Sequence, residues 1–288
     1  MHPAPSIILF TTLSGLGFGL LFWLGIDPTP PTGWVAFAFF AIAFALSLGG
    51  LAFSAGHLGR PERALKAFTQ WRSSWLSREA WAAAATLIMA GLYAAPLVFV
   101  GTTFLPLGWV TGLLALATIG TTSMIYTQLK TVPRWHHAST PALFLAYALA
   151  GGALMSGRVT VAIPLLLVTG ALQVWVWWDG DRRLARSGTD MNTATGLSGQ
   201  VRAFEPPHTG SNYLLREMVF VVGRKHALKL RIIALVLGAA LPVVLLLMPF
   251  GHWLAALAVL SHVAGVLTAR WLFFAEAEHV VGLYYGKR

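Results

Sequence analysis

The sequence predicts an all-α, polytopic membrane bundle of eight transmembrane helices with both termini cytoplasmic, and three observations point there. Of the 288 residues, 57% are hydrophobic and only 10% are charged, where a soluble domain carries roughly 25%. The apolar residues gather in eight stretches that contain no Asp, Glu, Lys or Arg. Of the 20 Lys and Arg residues, 19 fall in alternate gaps between those stretches, Arg158 being the exception. The charge deficit runs along the whole chain, so residues 1–288 read as a single membrane domain.

A helix crosses the hydrocarbon core with about 20 apolar residues. The predicted spans are Ser6–Leu24, Trp34–Ala55, Ala80–Val100, Pro106–Leu129, Ser139–Ser156, Val159–Trp178, Ile232–Met248 and Gly251–Ala269. The shorter ones are flanked by aromatic or basic residues that anchor at the interface. Tight connections such as Gly157-Arg158 and Pro249-Phe250-Gly251 force antiparallel neighbours and hence an up-and-down bundle. Gly15, Gly17 and Gly19, and the run Ala82 to Ala85, offer faces for close helix packing. Pro164, Pro242 and Pro249 interrupt the sixth and seventh stretches. Met1 to Pro5 holds no Lys or Arg and no small-residue cleavage site follows, so the first stretch is expected to remain as a helix rather than leave as a signal peptide.

Orientation comes from charge. Arg60, Arg63, Lys66, Arg72 and Arg78 follow the second stretch, and Lys130 and Arg134 follow the fourth. Nine basic residues lie between Arg182 and Arg231, and Arg270, Lys287 and Arg288 follow the last stretch. Cytoplasmic loops carry this excess, and basic residues beside apolar helices meet anionic lipid head groups. That placement argues against nucleic acid as a partner, in spite of the net charge of +10. The long cytoplasmic loop, 179–231, starts at a membrane edge marked by Trp175, Trp177 and Trp178. It is expected to run as an extended arm from Ser187 to Gly210 and to enter an interfacial helix near Tyr213 to Phe220.

Cys is absent, which excludes disulfides, thiolate metal sites and iron–sulfur clusters on this chain. Haem would need paired histidines at matched depth, and His262 alone lies well inside a span. It is expected to be hydrogen-bonded within the bundle. The chemistry-bearing stretch is the gap after the second span: His57-Leu58-Gly59-Arg60-Pro61-Glu62-Arg63-Ala64, then Ser77-Arg78-Glu79. His57 closes the second helix, and Glu79 is expected in the first turn of the third, with Ser77 at its capped start. An imidazole and a carboxylate returned to one membrane surface suit quinone reduction, which consumes two electrons and two protons. Structural readings stand beside this one: a histidine is favoured at a helix C-terminus and a glutamate at an N-terminus. With no Asp, Glu, Lys or Arg inside any stretch, proton exchange is expected on the cytoplasmic side without transmembrane pumping.

The spacing His57-Leu58-Gly59-x-Pro61-x-Arg63-Ala64 with Ser77-x-Glu79, and a second block of Tyr126, Thr131-Val132-Pro133-Arg134-Trp135 and Thr140-Pro141, resembles the membrane anchor subunits of dimethyl sulfoxide reductase-type enzymes (DmsC type). The resemblance implies an anchor without metal of its own. It would hold a four-cluster iron–sulfur subunit and a molybdopterin catalytic subunit, and exchange electrons with ubiquinone or menaquinone. It also implies quinone-binding and proton-transfer roles for His57, Glu79 and Tyr126. Arg60, Arg72, Arg78, Arg134 and Trp135 are candidates for supporting the site or docking partners. The reductase anchors place the His-Leu-Gly loop on the periplasmic side, whereas here that loop carries the positive-inside signal. The segment Phe204-Glu205-Pro206-Pro207-His208-Thr209-Gly210 and the tail from Phe273 to Tyr285 resemble the anchor of a cytoplasm-facing sulfite dehydrogenase. The expectation is a subunit of the bacterial inner membrane, passing electrons from a cytoplasmic, sulfite-oxidising catalytic module to the quinone pool. The alternatives are a quinol-oxidising anchor of a sulfoxide or polysulfide reductase and, in a different class, a small-solute transporter, for which the chain shows no clear internal repeat.

Overall fold

The computed structural model describes residues 1–56, 60–205, 207–219, 225–249 and 251–286. Among them the secondary structure is helical throughout. The long helices are α1 (Pro5–Gly25), α2 (Gly33–Gly56), α3 (Trp75–Phe99), α4 (Leu105–Thr127), α5 (Ser139–Met155) and α6 (Val159–Arg186). Two one-turn helices follow, α7 (Met191–Thr195) and α8 (Tyr213–Glu217), then α9 (Ala227–Leu247) and α10 (His252–Ala275). Seven of these are long and apolar enough to cross a membrane. The shorter α5 has 17 residues, which at 1.5 Å per residue rise gives about 26 Å.

The packing is inside-out relative to a soluble protein. Large apolar side chains such as Ile88, Leu92, Leu113, Val168, Val244 and Leu260 are exposed at mid-helix, while Thr86, Thr118, Ser123, Gln173 and His262 are buried between helices. Hydrocarbon solvates the first set, and the second must find hydrogen bonds inside the bundle. This is the surface of a multi-pass membrane protein. Helix α1 sits centrally against α2, α4, α5 and α10; α3 leans on α4, α6 on α5, and α9 on α10.

Close approach explains two of the glycines singled out from sequence. A Cβ on Gly17 would meet Ser47 of α2, and one on Gly19 would meet the Ala148 carbonyl of α5, so α1 touches its neighbours backbone to backbone. Gly15 faces open space instead. The tight turn between α5 and α6 holds Gly157 at φ +72, the left-handed conformation that ends helices with glycine.

Several expected boundaries are corrected. Helix α3 begins five residues before the predicted Ala80, with Ser74 rather than Ser77 at the N-cap. Glu79 therefore lies in the second turn, inside the helix. Helix α6 runs on past Trp178 to Arg186 because the ion pairs Asp179–Arg183 and Asp179–Arg186, both 2.7 Å, replace apolar contacts at the interface. Arg270, expected beyond the last span, lies within α10. The apolar stretches mark the hydrocarbon-embedded part of each helix, and the helices continue until charge pairing and caps stop them. Ionisable groups thus do occur inside the helices, contrary to expectation.

The arm from Ser187 to Gly210 is interrupted by α7, which starts in a reciprocal capping box between Asp190 and Thr193 and stops at left-handed Gly196. The interfacial helix near Tyr213 is one turn, α8, capped by the Asn212 side chain on Leu215 N. Phe220, Pro206 and Phe250 lie outside the described residues. Arg158, the lone base among the opposite gaps, pairs with Asp27 and stacks its guanidinium 5.5 Å from the centroid of the Trp23 ring. Its charge is therefore locally neutralised.

Candidate functional site

A pocket of about 520 Å³ opens between the end of α2, the 3-10 turn Pro61–Phe68 and the first turns of α3. Its walls are Leu51, Ala55, Phe68, Ala80, Ala83, Ala84 and Leu87, and Arg63, Lys66, Gln70 and Ser74 bring polar groups to it. Alanines leave the space between α2 and α3 that larger side chains would fill. The early start of α3 turns Glu79 inward, where it lines the pocket at 3% exposure. Thr122 Oγ1 on α4 donates to Glu79 Oε1 at 2.6 Å. Ser77 also lines the pocket, and its buried Oγ has no hydrogen-bond partner among the described residues. A mostly apolar chamber with a few convergent polar groups is the usual form of a small-molecule site. A buried carboxylate beside it can hold or release a proton where bulk water does not reach.

The sequence-predicted residues divide between this pocket and the packing around it. His57 lies outside the described residues; Ala55, two positions before it, is on the pocket wall. Arg60 and Arg72 are exposed. Arg78 donates from Nε to the Trp71 carbonyl at 3.0 Å and from Nη2 to the Arg72 carbonyl at 2.7 Å. Its guanidinium also covers Trp75 at 4.3 Å, so it fastens the loop to the start of α3. The basic residues on the pocket wall are Arg63 and Lys66; in the sequence Arg63 belongs to the His57–Ala64 motif and Lys66 reads only as a topology signal.

Tyr126 is not on the pocket wall. It stands one turn beyond Thr122 on α4, buried among Trp135, Phe144, Phe273 and Phe274 at centroid distances of 5.4 to 5.7 Å. Trp135 stacks on Phe273 at 5.1 Å and donates its indole N–H to the Phe273 carbonyl at 3.0 Å. Trp135 thereby holds the α4–α5 loop to the end of α10. Arg134 is not at the pocket mouth either. It pairs with Asp181 and Glu276, and Arg231 pairs with the same two carboxylates at 2.7 Å. This four-residue network ties that loop to the ends of α6, α9 and α10. Burial raises the Glu276 carboxyl above its ordinary range, opposed by the two guanidiniums. The N-terminus and the segment after α10 close over the same region: the Met1 ammonium donates to the Ala277 carbonyl at 2.7 Å, and Val280 N to the Thr131 carbonyl at 3.0 Å.

Two internal features are absent from the sequence pattern or sharpen it. Arg270 is 3% exposed, with its guanidinium 3.6 Å from the centroid of Phe144 and 5.6 Å from that of Tyr147. Its Nε has no hydrogen-bond partner, and no ion pair engages it among the described residues. Burying an unpaired cation costs several kcal/mol even after relaxation, against about 2 kcal/mol from a desolvated cation–π contact. The apolar-stretch criterion misses Arg270 because the stretch ends at Ala269. His262 hydrogen-bonds within the bundle as expected: Nδ1 donates to the Gly238 carbonyl at 2.6 Å. That carbonyl is free because Pro242, four residues on, has no N–H, and the helix passes the defect in a π-turn, Val236–Ala240.

Comparison with known proteins agrees with the motif blocks. Residues 1–171 match the family described as DMSO reductase anchor subunit (DmsC). The chain is also similar to a sulfite dehydrogenase subunit of Allochromatium vinosum, with 33% identity over 328 aligned positions covering 99% of each protein. With more than half of its length matched by that family and a full-length relative at this identity, the chain belongs to the DMSO reductase anchor subunit (DmsC) family.

Proposed function

We propose that this chain is the membrane anchor and quinone-reactive subunit of a molybdopterin and iron–sulfur oxidoreductase of the bacterial inner membrane. In this reading it passes electrons from a cytoplasmic, sulfite-oxidising module to the quinone pool. The observation that carries the proposal is the 520 Å³ apolar pocket with the buried Glu79 carboxylate on its wall. The sulfite assignment rests on the full-length relative, and the cytoplasmic side on the positive-inside pattern.

The pocket fits a quinone by its chemistry. Alanine and leucine walls suit a flat ring and an isoprenoid tail, and Ser77, Arg63 and Lys66 supply donors for carbonyl oxygens. A bound quinone supplies a ring that takes up two electrons and two protons to become a quinol. Glu79, oriented by Thr122, delivers protons to one carbonyl oxygen and recovers them from the wetter rim, where Gln70 and Ser74 stand. His57, from the segment after Ala55, serves the second oxygen. Arg63 and Lys66 stabilise negative charge that builds up before the protons arrive. Electrons come from clusters on a four-cluster iron–sulfur partner that docks on the exposed basic loop around Arg60 and Arg72. Run in reverse, the same groups would accept protons from a quinol and serve a reductase.

The test is Glu79→Gln in the assembled complex. Substrate oxidation with a soluble artificial acceptor, which bypasses the pocket, stays at the native rate. Quinone reduction falls by about 10² or more, the usual contribution of a positioned proton donor. Full quinone turnover in both Glu79→Gln and His57→Ala complexes would remove quinone chemistry from this pocket and leave the chain as an anchor alone.

A further inference from the structure

We propose that a second, separate cavity, between α5, α6 and α10, binds one small monovalent anion of halide size, with Arg270 as its cationic partner. The cavity measures about 20 Å³, room for a single group the size of a water molecule. Its polar lining comes from Arg270, Tyr147, Gln173, Thr140, Arg134 and Glu276. This volume excludes phosphate, carboxylate ligands and quinone rings.

The lining holds a buried guanidinium, that of Arg270, with no carboxylate paired to it among the described residues. Its Nε and that of Arg134 are buried without a hydrogen-bond partner among those residues. Glu276 brings the negative charge on this wall, and both its oxygens are engaged, Oε1 by Arg231 at 2.7 Å and Oε2 by Arg134 at 3.5 Å. Gln173 Oε1 accepts from Tyr147 Oη at 3.0 Å, which leaves the Gln173 amide hydrogens to donate. Thr140 Oγ1 already donates to the Trp135 carbonyl at 2.8 Å. A water molecule here would accept from the guanidinium but leave its charge without a counter-ion. An anion needs only to accept, and it supplies the charge that Arg270 lacks. The Phe144 ring covers the guanidinium, with its centroid at 3.6 Å. The anion site shares no residue with the quinone pocket and stands whether or not a quinone binds there.

The experiment is thermal unfolding of the full-length protein in detergent, in sodium chloride or bromide against sodium gluconate at equal ionic strength. Gluconate is too large for the cavity and controls for screening. Chloride and bromide raise the Tm saturably in the native protein, and gluconate does not. Arg270→Gln abolishes the difference. Gln173→Leu keeps the cation but removes the amide donors, and shifts the half-saturating chloride concentration upward several-fold. Equal Tm values in chloride and gluconate for the native protein would overturn the proposal. So would a halide response left intact in Arg270→Gln or, where that variant does not fold, an unshifted half-saturation in Gln173→Leu.

Discussion

At the scale of single residues, neutral histidines fasten the C-terminal tail and the α4–α5 loop. His279 Nδ1 accepts from Val281 N at 3.1 Å, a bond available only while that nitrogen is unprotonated. Burial, and then the nearby N-terminal ammonium, lower its pKa below the ordinary value. His137 is lowered too, by burial first and then by Arg183. A depressed pKa means that the unfolded chain binds the proton more tightly. The stability that neutral His279 contributes is therefore present above its unfolded pKa of about 6.5, and is lost as pH falls from there through the folded value. The Tm of the native protein should drop more between pH 7.5 and 5.5 than that of His279→Gln, whose amide oxygen accepts from Val281 N at either pH. Parallel Tm curves would show that His279 does not titrate with unfolding. Residue-level legibility was uneven. Glu79 stood out because carboxylates are scarce in this chain and it sits at a fixed spacing from His57. Lys66 and Arg270 were hidden because a basic residue near a span end reads first as a topology signal, and only packing shows which one turns inward.

At the scale of elements, most helices were legible as apolar stretches, while their ends were not. Nothing in hydropathy says that α6 continues through Asp179, Arg183 and Arg186, because the pairing that stabilises those turns depends on the α4–α5 loop as well. Arg183 donates to the Arg134 carbonyl at 2.8 Å and to Ser139 Oγ at 2.8 Å. Helix α9 is the clearer case of an element completed by its neighbour. Pro242 frees the Gly238 carbonyl, and His262 of α10 satisfies it. Leaving a buried carbonyl unsatisfied costs about 1–3 kcal/mol, so His262→Leu should destabilise by about that amount in SDS-titration unfolding. Pro242→Ala restores an N–H that can bond Gly238 directly, so it should recover part of the loss, with a coupling of about 0.5–3 kcal/mol between the two sites. Additive effects would mean that His262 acts through packing and not through that carbonyl.

At the scale of the whole molecule, charge is sorted by depth as well as by side. The ionisable residues that the helices enclose near their ends, Glu79, Asp179, Arg183, Arg231 and Arg270, all stand at the ends that carry the basic loops. The mid-helix region between the two surfaces holds the His262 site and rows of threonines. A proton path across the bilayer would need carboxylates or bases through that region, so the arrangement favours exchange at one surface even though the helices are not free of charge. The same sorting fixes the expected orientation. Each juxtamembrane Lys or Arg contributes about 1 kcal/mol toward an anionic leaflet, and 19 of 20 favour one side. The twentieth, Arg158, is cancelled by Asp27. The absence of native cysteine makes this directly measurable. In intact spheroplasts a membrane-impermeant maleimide should label Thr102→Cys, in the exposed α3–α4 turn. It should label Ser198→Cys, in the exposed arm after α7, only after lysis. Labelling of Ser198→Cys in intact spheroplasts would put the basic face, the pocket and every docking partner on the other side of the membrane. Labelling of Thr102→Cys alone leaves the pocket mouth, the ion network and both termini sharing the cytoplasmic surface, where a substrate-oxidising module can reach them without being exported.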